Sequence, residues 1–496
     1  MMGVLNSAVK YASWADFVSK ISMVEMKIIV LDYLSCLKNV QSLKVKGVSK
    51  SAVLLNLPEL RSFVWQSMDW SSDVPKMSKA FNLNVFQNSV KLEKFVVEIP
   101  LDITGDFERF SSFTNLKELD FIGIRENQIN TIRHLSGCKS LETLRIQFDK
   151  SVIGGISDLE GLNDLIELKR LTICNTVIKD TGAIRNLKNI EYLEILSPVL
   201  EHFTPCDDFS KLLELNFSAT NYNSNGICSS LKTLGDSIYP VNMNRINMRN
   251  TAIQKFPRFG NLRNIDNLLL SNTPISDFSE MRSIEKIGDL DIDNCAEIID
   301  FKGFENVKEI VDLDMTKCSK LVSFKGMQGI TYRNSRLDLS GCVSLKSIED
   351  LPMAIWNLII LGTETLPLVK AGLTCEQIRC YSVKNIERIG NYLNVVGFDF
   401  SLGNYNSEHP LVDFSPLRDL FKLKKLRINS DKAISLESFA HFEHLEILNL
   451  VGCKQLTNPE KLANTHIDKL YIADCNLKKA QFPATLQDKI DWQSKP

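Results

Sequence analysis

A pattern repeated three times between Leu290 and Leu345 constrains the fold of this chain more than any other feature. The three copies read LDIDNCAEIIDF, LDMTKCSKLVSF and LDLSGCVSLKSI. Their first residues, Leu290, Leu313 and Leu337, lie 23 and 24 residues apart. Self-similarity at a period of roughly 20–29 residues predicts a solenoid, in which each repeat buries its apolar face against its neighbours.

The repeated stretch resembles the leucine-rich repeats of internalins, which have roughly 22 residues each. Its cysteine-bearing copies resemble the repeats of plant intracellular receptors. The resemblance implies an α/β fold: a curved leucine-rich repeat solenoid with a parallel β-sheet on its concave face. It also implies a recognition scaffold, because most members of the family bind other proteins.

The same apolar pattern extends over most of the chain. Side chains alternate between the two faces of a strand, so two apolar residues at positions i and i+2 both point into the core. We count nineteen such pairs and expect about nineteen strands over residues 37–479. The first members of the pairs are Leu43, Phe63, Phe95, Leu119, Leu144, Leu171, Leu193, Leu215, Ile246, Leu268, Leu290, Leu313, Leu337, Leu358, Ile378, Phe398, Leu426, Leu448 and Leu470.

The two ends of the chain depart from the repeat. Apolar residues between Trp14 and Ile28 recur at spacings of three and four, which predicts an amphipathic helix. We assign residues 1–36 as a helical N-terminal cap, with a divergent first repeat as the alternative. Residues 480–496 are assigned as a C-terminal cap. Long periods predict insertion loops at 66–88, 218–239 and 401–415.

Composition argues against several classes of partner. The net charge of −2 does not favour nucleic acid or an anionic membrane surface. The longest apolar runs, such as residues 358–361, are far too short to cross a bilayer, so we predict no membrane insertion. The N-terminus lacks a basic start followed by an apolar core, and no secretory signal is predicted.

Five of the twelve cysteines occupy one position of the repeat, three residues after the second inward residue. A disulfide framework does not follow a repeat in this way, whereas a small buried thiol in a reducing compartment does. We therefore expect a cytoplasmic protein, with delivery into a host cell by a non-classical route as a further setting. These cysteines are Cys295, Cys318, Cys342, Cys453 and Cys475.

No motif for catalysis, metal or cofactor binding is present. The sequence contains no GxxxxGK[ST], no HExxH and no CxxC. Cys375 and Cys380 lack a second pair at metal spacing, and His441 and His444 lack further ligands. We predict no catalytic residue, no metal and no cofactor. An enzyme with its site in an insertion loop is the competing class, because catalytic groups also meet in space without a motif.

Six aspartates are predicted to lie together on the outward face of three neighbouring strands. Like charges on adjacent strands repel each other, and aspartate is a poor strand former, so we expect no structural need for them. The hypothesis is a binding site for the basic surface of another protein. A solvated face partly compensated by Arg336 and a calcium site are the alternatives. This acidic cluster comprises Asp289, Asp291, Asp293, Asp312, Asp314 and Asp338.

Two further groups of outward residues are predicted on the same face. Exposed apolar and aromatic residues in a patch are typical of interaction sites. The flanking apolar residues are Leu269, Ile359 and Leu361. The second patch comprises Lys425, Arg427, Lys469 and Tyr471.

We therefore expect non-enzymatic protein–protein recognition through the concave face. A bacterial effector or host-interacting protein and an intracellular inhibitor, such as an immunity protein that blocks a toxin, both fit. A structural spacer would instead predict no effect of any substitution on this face. Asp291→Lys combined with Asp314→Lys is expected to weaken partner binding and to leave the melting temperature nearly unchanged.

Overall fold

In the computed structural model of the chain, parallel strands stack in chain order. The structure describes residues 23–26, 38–46, 57–66, 81–86, 88–98, 103–104, 107–124, 129–149, 153–218, 230–333, 336–351, 354–360, 367, 374–380, 395–402, 411–412, 414, 417, 420–430, 432–440 and 442–492. The chain divides into unit 1, residues 1–253 and 257–263, and unit 2, residues 254–256 and 264–496.

Unit 1 contains fourteen strands among its described residues. They are β1 (Met23–Met26), β2 (Ser42–Lys46), β3 (Ser62–Gln66), β4 (Phe81–Asn82), β5 (Lys94–Glu98), β6 (Ile103–Thr104), β7 (Glu118–Ile124), β8 (Thr143–Phe148), β9 (Arg170–Cys174), β10 (Tyr192–Leu196), β11 (His202–Phe203), β12 (Glu214–Asn216), β13 (Thr233–Leu234) and β14 (Asn242–Asn247). The short strands β4 and β6 pair with each other, as do β11 and β13. The remaining ten pair in parallel in chain order.

Unit 2 contains fifteen strands among its described residues. They are β15 (Asn264–Leu269), β16 (Lys286–Asp291), β17 (Glu309–Asp314), β18 (Thr331–Tyr332), β19 (Arg336–Asp338), β20 (Ala354–Ile360), β21 (Thr374–Cys380), β22 (Gly397–Leu402), β23 (Leu411–Val412), β24 (Lys425–Ser430), β25 (Ala433–Ser435), β26 (Ile447–Asn449), β27 (Gln455–Thr457), β28 (Lys469–Tyr471) and β29 (Ile490–Asp491). Strands β15 to β18 pair in parallel, and β19, β20, β21, β22, β24, β26, β28 and β29 form a separate parallel sheet. Strands β23, β25 and β27 form a small third sheet.

The described helical segments are short. One α-helical turn spans Ala484–Gln487. The others are 3-10 helices at Leu83–Phe86, Phe107–Ser112, Arg133–Gly137, Glu160–Leu162, Gly182–Ile184, Ser279–Ser283, Leu436–Phe439, Pro459–Asn464 and Lys479–Gln481. No helix in the described ranges is both long enough and apolar enough to span a membrane.

The predicted inward pairs form the core of both units. Each pair member whose burial is described is at most 3% exposed, from Leu43 to Ile472. The predicted solenoid of parallel strands is therefore confirmed, while the count of nineteen repeats stays a prediction. Opposite the sheet, phenylalanines of successive repeats stack: the ring centroid of Phe301 lies 6.3 Å from that of Phe278 and 5.4 Å from that of Phe324.

A residue in the left-handed backbone conformation follows many of the strands and explains a regularity of the sequence. Asn272 and Asn294 have φ angles of 60° and 55°, a conformation that asparagine and glycine adopt more readily than other residues. The next residue is the repeated threonine or cysteine. The Thr273 hydroxyl donates to the Leu270 carbonyl (2.7 Å), and the Cys295 thiol donates to the same carbonyl (3.1 Å) from the following repeat.

Two other cysteines of this position make the same bond between repeats. The thiols of Cys318 and Cys453 donate to the carbonyls of Ile292 and Ile428 at 3.3 and 3.2 Å. All ten described cysteines have free thiols, and nine of them are buried. Thiols at this position of the repeat therefore satisfy backbone carbonyl groups of the preceding repeat.

The N-terminal helix prediction is wrong where the structure can test it. Met23–Met26 is a strand that pairs in parallel with Ser42–Lys46, with Val24 opposite Leu43. The open edge of β2 offers unpaired backbone groups, and pairing with them outweighs the helical spacing of the apolar side chains. For these four residues the alternative of a divergent first repeat fits better. The rest of the predicted 1–36 cap lies outside the described residues.

The C-terminal segment adds a turn and a strand to the sheet. Ile490 of β29 pairs with Leu470 of β28. Phe482, Leu486 and Ile490 are buried, whereas Trp492 is 39% exposed. The assignment of 480–496 as a separate cap stays a prediction.

Candidate functional site

The strand registers of unit 2 align the outward residues in columns. On β15, β16 and β17, Leu269, Asp291 and Asp314 share the middle column. By the same registers, Asn267, Asp289 and Asp312 share the column before it. Neighbouring strands lie about 4.8 Å apart, so four aspartates occupy adjacent positions of two strands.

Asp338 lies on a different sheet from the other members of the acidic cluster. Ile310 pairs with Tyr332 of β18. The inward residue Leu313 comes three positions after Ile310, whereas its equivalent, Leu337, comes five positions after Tyr332, so the later repeat has two additional residues here. The ladder stops at Tyr332, and a new sheet begins at Arg336. The predicted column is therefore interrupted between Asp314 and Asp338.

Asp291 has a structural role that the sequence did not reveal to us. The residue is 8% exposed. Its carboxylate accepts hydrogen bonds from the backbone N–H of Asp293 (3.1 Å) and the hydroxyl of Ser271 (3.1 Å). The same bond from the N–H two residues onward recurs at the strand ends. It is accepted by the side chains of Asn216, Asn247, Asp338 and Asn449 at 3.0 to 3.3 Å. The expectation that the fold has no need of these aspartates is thus wrong for Asp291 and Asp338.

The remaining cluster members differ in their exposure and contacts. Asp293 accepts the backbone N–H of Thr316 (2.6 Å), and Asp312 accepts that of Leu313 (2.9 Å). Asp289 and Asp314 are exposed.

Asp314 marks the point where negative charge accumulates. Partial burial raises the pKa of its carboxyl above the ordinary value, and the carboxylates of Asp312, Asp293 and Asp291 raise that pKa further. The positive charge of Arg336 opposes this rise. Part of the predicted compensation by Arg336 is thus present.

The two flanking apolar residues that the structure describes are buried. Leu269 is 7% and Ile359 is 3% exposed, and Leu361 lies outside the described residues. Both buried residues belong to the middle column, as does the buried Asn449 (6% exposed), whereas Asp314 and Arg427 of the same column are exposed. An exposed apolar patch at Leu269 and Ile359 is therefore a wrong prediction.

The second patch lies in and beside a pocket of about 320 Å³. Lys425, Arg427 and Tyr471 line the pocket, together with Arg379 and Asp399, which the sequence analysis did not select. The signal was available, because in the register Arg379, Asp399 and Arg427 occupy one column on three successive strands of the sheet. Lys469 is exposed but is not part of the pocket lining.

Unit 1 holds a buried carboxylate that sequence reasoning also missed. Asp120 is 6% exposed, and its Oδ1 has no hydrogen-bond partner. Burial raises the pKa of this carboxyl to about 6, although the Arg145 guanidinium 4.0 Å away opposes the shift. Farther along the same column, Glu194 accepts the hydroxyl of Tyr192 (3.0 Å) and the amide of Asn216 (2.7 Å). Polar residues at outward strand positions were the only signal for this group.

Metal ligation finds no support in the described part of the chain, where no group of three or more His, Cys, Asp or Glu side chains is arranged to hold an ion.

No protein-family model and no curated protein matches the sequence. Among solved structures, similarity is found to an internalin (InlF) of Listeria monocytogenes, with 13% identity, coverage of 96% of this chain and 94% of that chain, and a TM-score of 0.24. A leucine-rich repeat protein of Leptospira interrogans shows 11% identity, 98% coverage of both chains and a TM-score of 0.31. The functional domain of InlJ from Listeria monocytogenes, which includes a cysteine ladder, shows 11% identity, coverage of 92% and 78%, and a TM-score of 0.37. From its own repeats and strand registers, the chain is a parallel-strand solenoid, consistent with a leucine-rich repeat protein.

Proposed function

We propose that this chain binds another protein through the outward face of unit 2, and that the acidic cluster meets a basic surface of that partner. The observation that carries the proposal is the register that places Asp289 and Asp291 of β16 beside Asp312 and Asp314 of β17 on one face. Like charges on adjacent strands cost stability, and a cationic partner side chain placed among them would offset that cost.

Fixed positions favour recognition over diffuse attraction. The carboxylates of Asp291 and Asp293 are held by backbone N–H groups, so their orientation does not depend on a ligand. Asp289 and Asp314 extend from the same two strands into solvent. Such a preorganised charged surface contributes to orientation and to the association rate more than to affinity alone.

The structure changes the choice of test variant. Asp291→Lys would break two hydrogen bonds of a buried carboxylate, and loss of binding would then report on folding. Asp289→Asn combined with Asp314→Asn removes two exposed charges and keeps the side-chain shape. Glu349→Gln combined with Glu443→Gln removes the same charge from two other exposed positions of unit 2 and is the matched control.

The measurement is fluorescence anisotropy with a labelled lysine–serine repeat peptide, followed by affinity capture with quantitative mass spectrometry. We expect the Asp289/Asp314 variant to bind the peptide at least about fivefold more weakly than wild type, with the control unchanged. Equal binding by both variants would contradict a role for the acidic cluster. Capture from host-cell lysate compared with lysate of the producing cell separates a host-directed effector from an inhibitor of an endogenous toxin.

A further inference from the structure

We propose that the pocket formed by Arg379, Gly397, Asp399, Lys425 and Arg427, the basic pocket, binds two carboxylates of an acidic, extended segment of a partner protein. This inference rests on the proposed function, since it assumes that the outward face of unit 2 contacts a protein. It assigns to a second site on that face a ligand of the opposite charge.

A glycine leaves the space between the charged side chains. In the register, Gln377, Gly397 and Lys425 share one column, and Arg379, Asp399 and Arg427 share the next. A Cβ atom at Gly397 would meet its nearest neighbour, Gln377 Cγ, at 3.5 Å, which is ordinary contact, so packing does not require glycine there. Because Gly397 has no side chain, it leaves space on β22 between Gln377 of β21 and Lys425 of β24.

The charges of the basic pocket do not cancel. Arg379 Nε contacts Asp399 Oδ2 at 3.2 Å, which neutralises that pair. Lys425 and Arg427 are exposed, and no carboxylate of the described residues lies within 4.0 Å of their cationic nitrogens. Two positive charges therefore remain at this site in a chain whose net charge is −2. A local excess of this sign attracts an anionic group.

The spacing of the two cations indicates the form of the ligand. Lys425 and Arg427 are two residues apart on β24, so their side chains leave the same face about 6.6 Å apart. Acidic residues at positions i and i+2 of an extended partner segment have the same spacing. A Glu-x-Glu segment can therefore contact both cations through separate carboxylates, and a small anion shared by the two flexible side chains is the competing ligand that the test distinguishes.

Two half-buried side chains give the site an apolar surface beside its charges. Ile447 and Tyr471 line the basic pocket on the strands that follow β24. The methylene groups of glutamate can lie against them while the carboxylates reach Lys425 and Arg427. Tyrosine and arginine together are typical of residues that contribute most to protein binding.

The test uses a labelled glutamate–serine repeat peptide of eight residues and the full chain. Lys425→Gln combined with Arg427→Gln removes both unpaired charges. Lys454→Gln combined with Lys479→Gln removes two exposed charges elsewhere in unit 2 and is the matched control. We expect the pocket variant to bind the peptide at least about tenfold more weakly than wild type and the control to bind within about twofold of wild type. Equal melting temperatures of the two variants establish that folding is intact.

Three results would overturn the proposal: no binding of the acidic peptide to wild type, equal weakening in both variants, or displacement of the peptide by millimolar inorganic phosphate, which indicates a small-anion site. The Asp289/Asp314 variant separates this inference from the proposed function. The Asp289/Asp314 variant should bind the acidic peptide as tightly as wild type does. Loss of acidic-peptide binding in the Lys425/Arg427 variant is therefore attributed to the basic pocket.

Discussion

Asp291 shows how one side chain can serve the fold and the surface together. Its carboxylate accepts the N–H of Asp293, as the amide oxygens of Asn216 and Asn449 accept the corresponding N–H in their repeats. The hydrogen bond needs an acceptor and no charge. The negative charge of Asp291 is therefore the part of the residue that the fold leaves unexplained.

Substitution at Asp291 should separate these two roles. Asp291→Asn keeps the acceptor for the N–H of Asp293, and its amide N–H can donate to the Ser271 hydroxyl, so we expect the free energy of unfolding to change by no more than about 0.5 kcal/mol. Asp291→Ala leaves the N–H of Asp293 and the hydroxyl of Ser271 without this partner and should cost about 2 kcal/mol. Urea denaturation followed by circular dichroism measures both. Equal losses for the two variants would mean that the charge itself stabilises the strand end.

Asp120 should make the stability of unit 1 depend on pH. The pKa of its carboxyl is about 6 in the folded chain and 3.8 in an unfolded one, because burial disfavours the charged form. The folded state therefore loses stability as the pH rises from about 4 to 6 and carries the full cost above that range. Asp120→Asn removes this cost.

We expect Asp120→Asn to unfold at the same urea concentration as wild type near pH 4 and to be more stable above pH 6, by roughly 1–3 kcal/mol. Glu167→Gln, at an exposed position of unit 1, is the matched control and should show no such dependence. A constant difference between wild type and Asp120→Asn at every pH would show that the carboxyl does not titrate in this range.

At the scale of the strand, most of the sheet follows from the spacing of apolar residues. The pairs at i and i+2 predicted which residues are buried, since a strand has only two faces. They also predicted the columns, because equivalent residues of parallel repeats stack. The register of Asp289 with Asp312 and of Asp291 with Asp314 confirms this for two strands of the acidic cluster.

The departures arise where backbone pairing competes with the side-chain pattern. Two additional residues before Leu337 cannot remain in a ladder set by Ile310 and Tyr332, so the sheet stops and starts again. Met23–Met26 follows the edge of β2 despite the helical spacing around it. Exposure also escaped prediction at Leu269 and Ile359, which occupy outward positions of their strands and are nevertheless buried. The repeat spacing already aligns Arg379, Asp399 and Arg427, but the pocket that they line is seen only in the structure.

At the scale of the whole molecule, each repeat stabilises its neighbours. In a solenoid, stability is close to a sum of repeat and interface terms, so damage in one repeat should spread to adjacent repeats and then fade. Unit 2 provides a position where this can be measured. A Cβ atom at Gly303, where φ is 115°, would lie 2.0 Å from the Phe278 carbonyl oxygen of the preceding repeat.

We expect Gly303→Ala to destabilise unit 2 by about 3 kcal/mol, because the backbone of two repeats must shift. Hydrogen exchange should accelerate most at amides of β15–β17 and of the residues that directly follow them, such as Leu270 and Ile292, and progressively less toward β26 and β28. Gly329→Ala is the control: its φ is 82°, but its Cβ would meet nothing within 4 Å, so we expect only about 1 kcal/mol from the left-handed backbone. Uniform acceleration across unit 2 after Gly303→Ala would instead establish that its repeats unfold as one cooperative block.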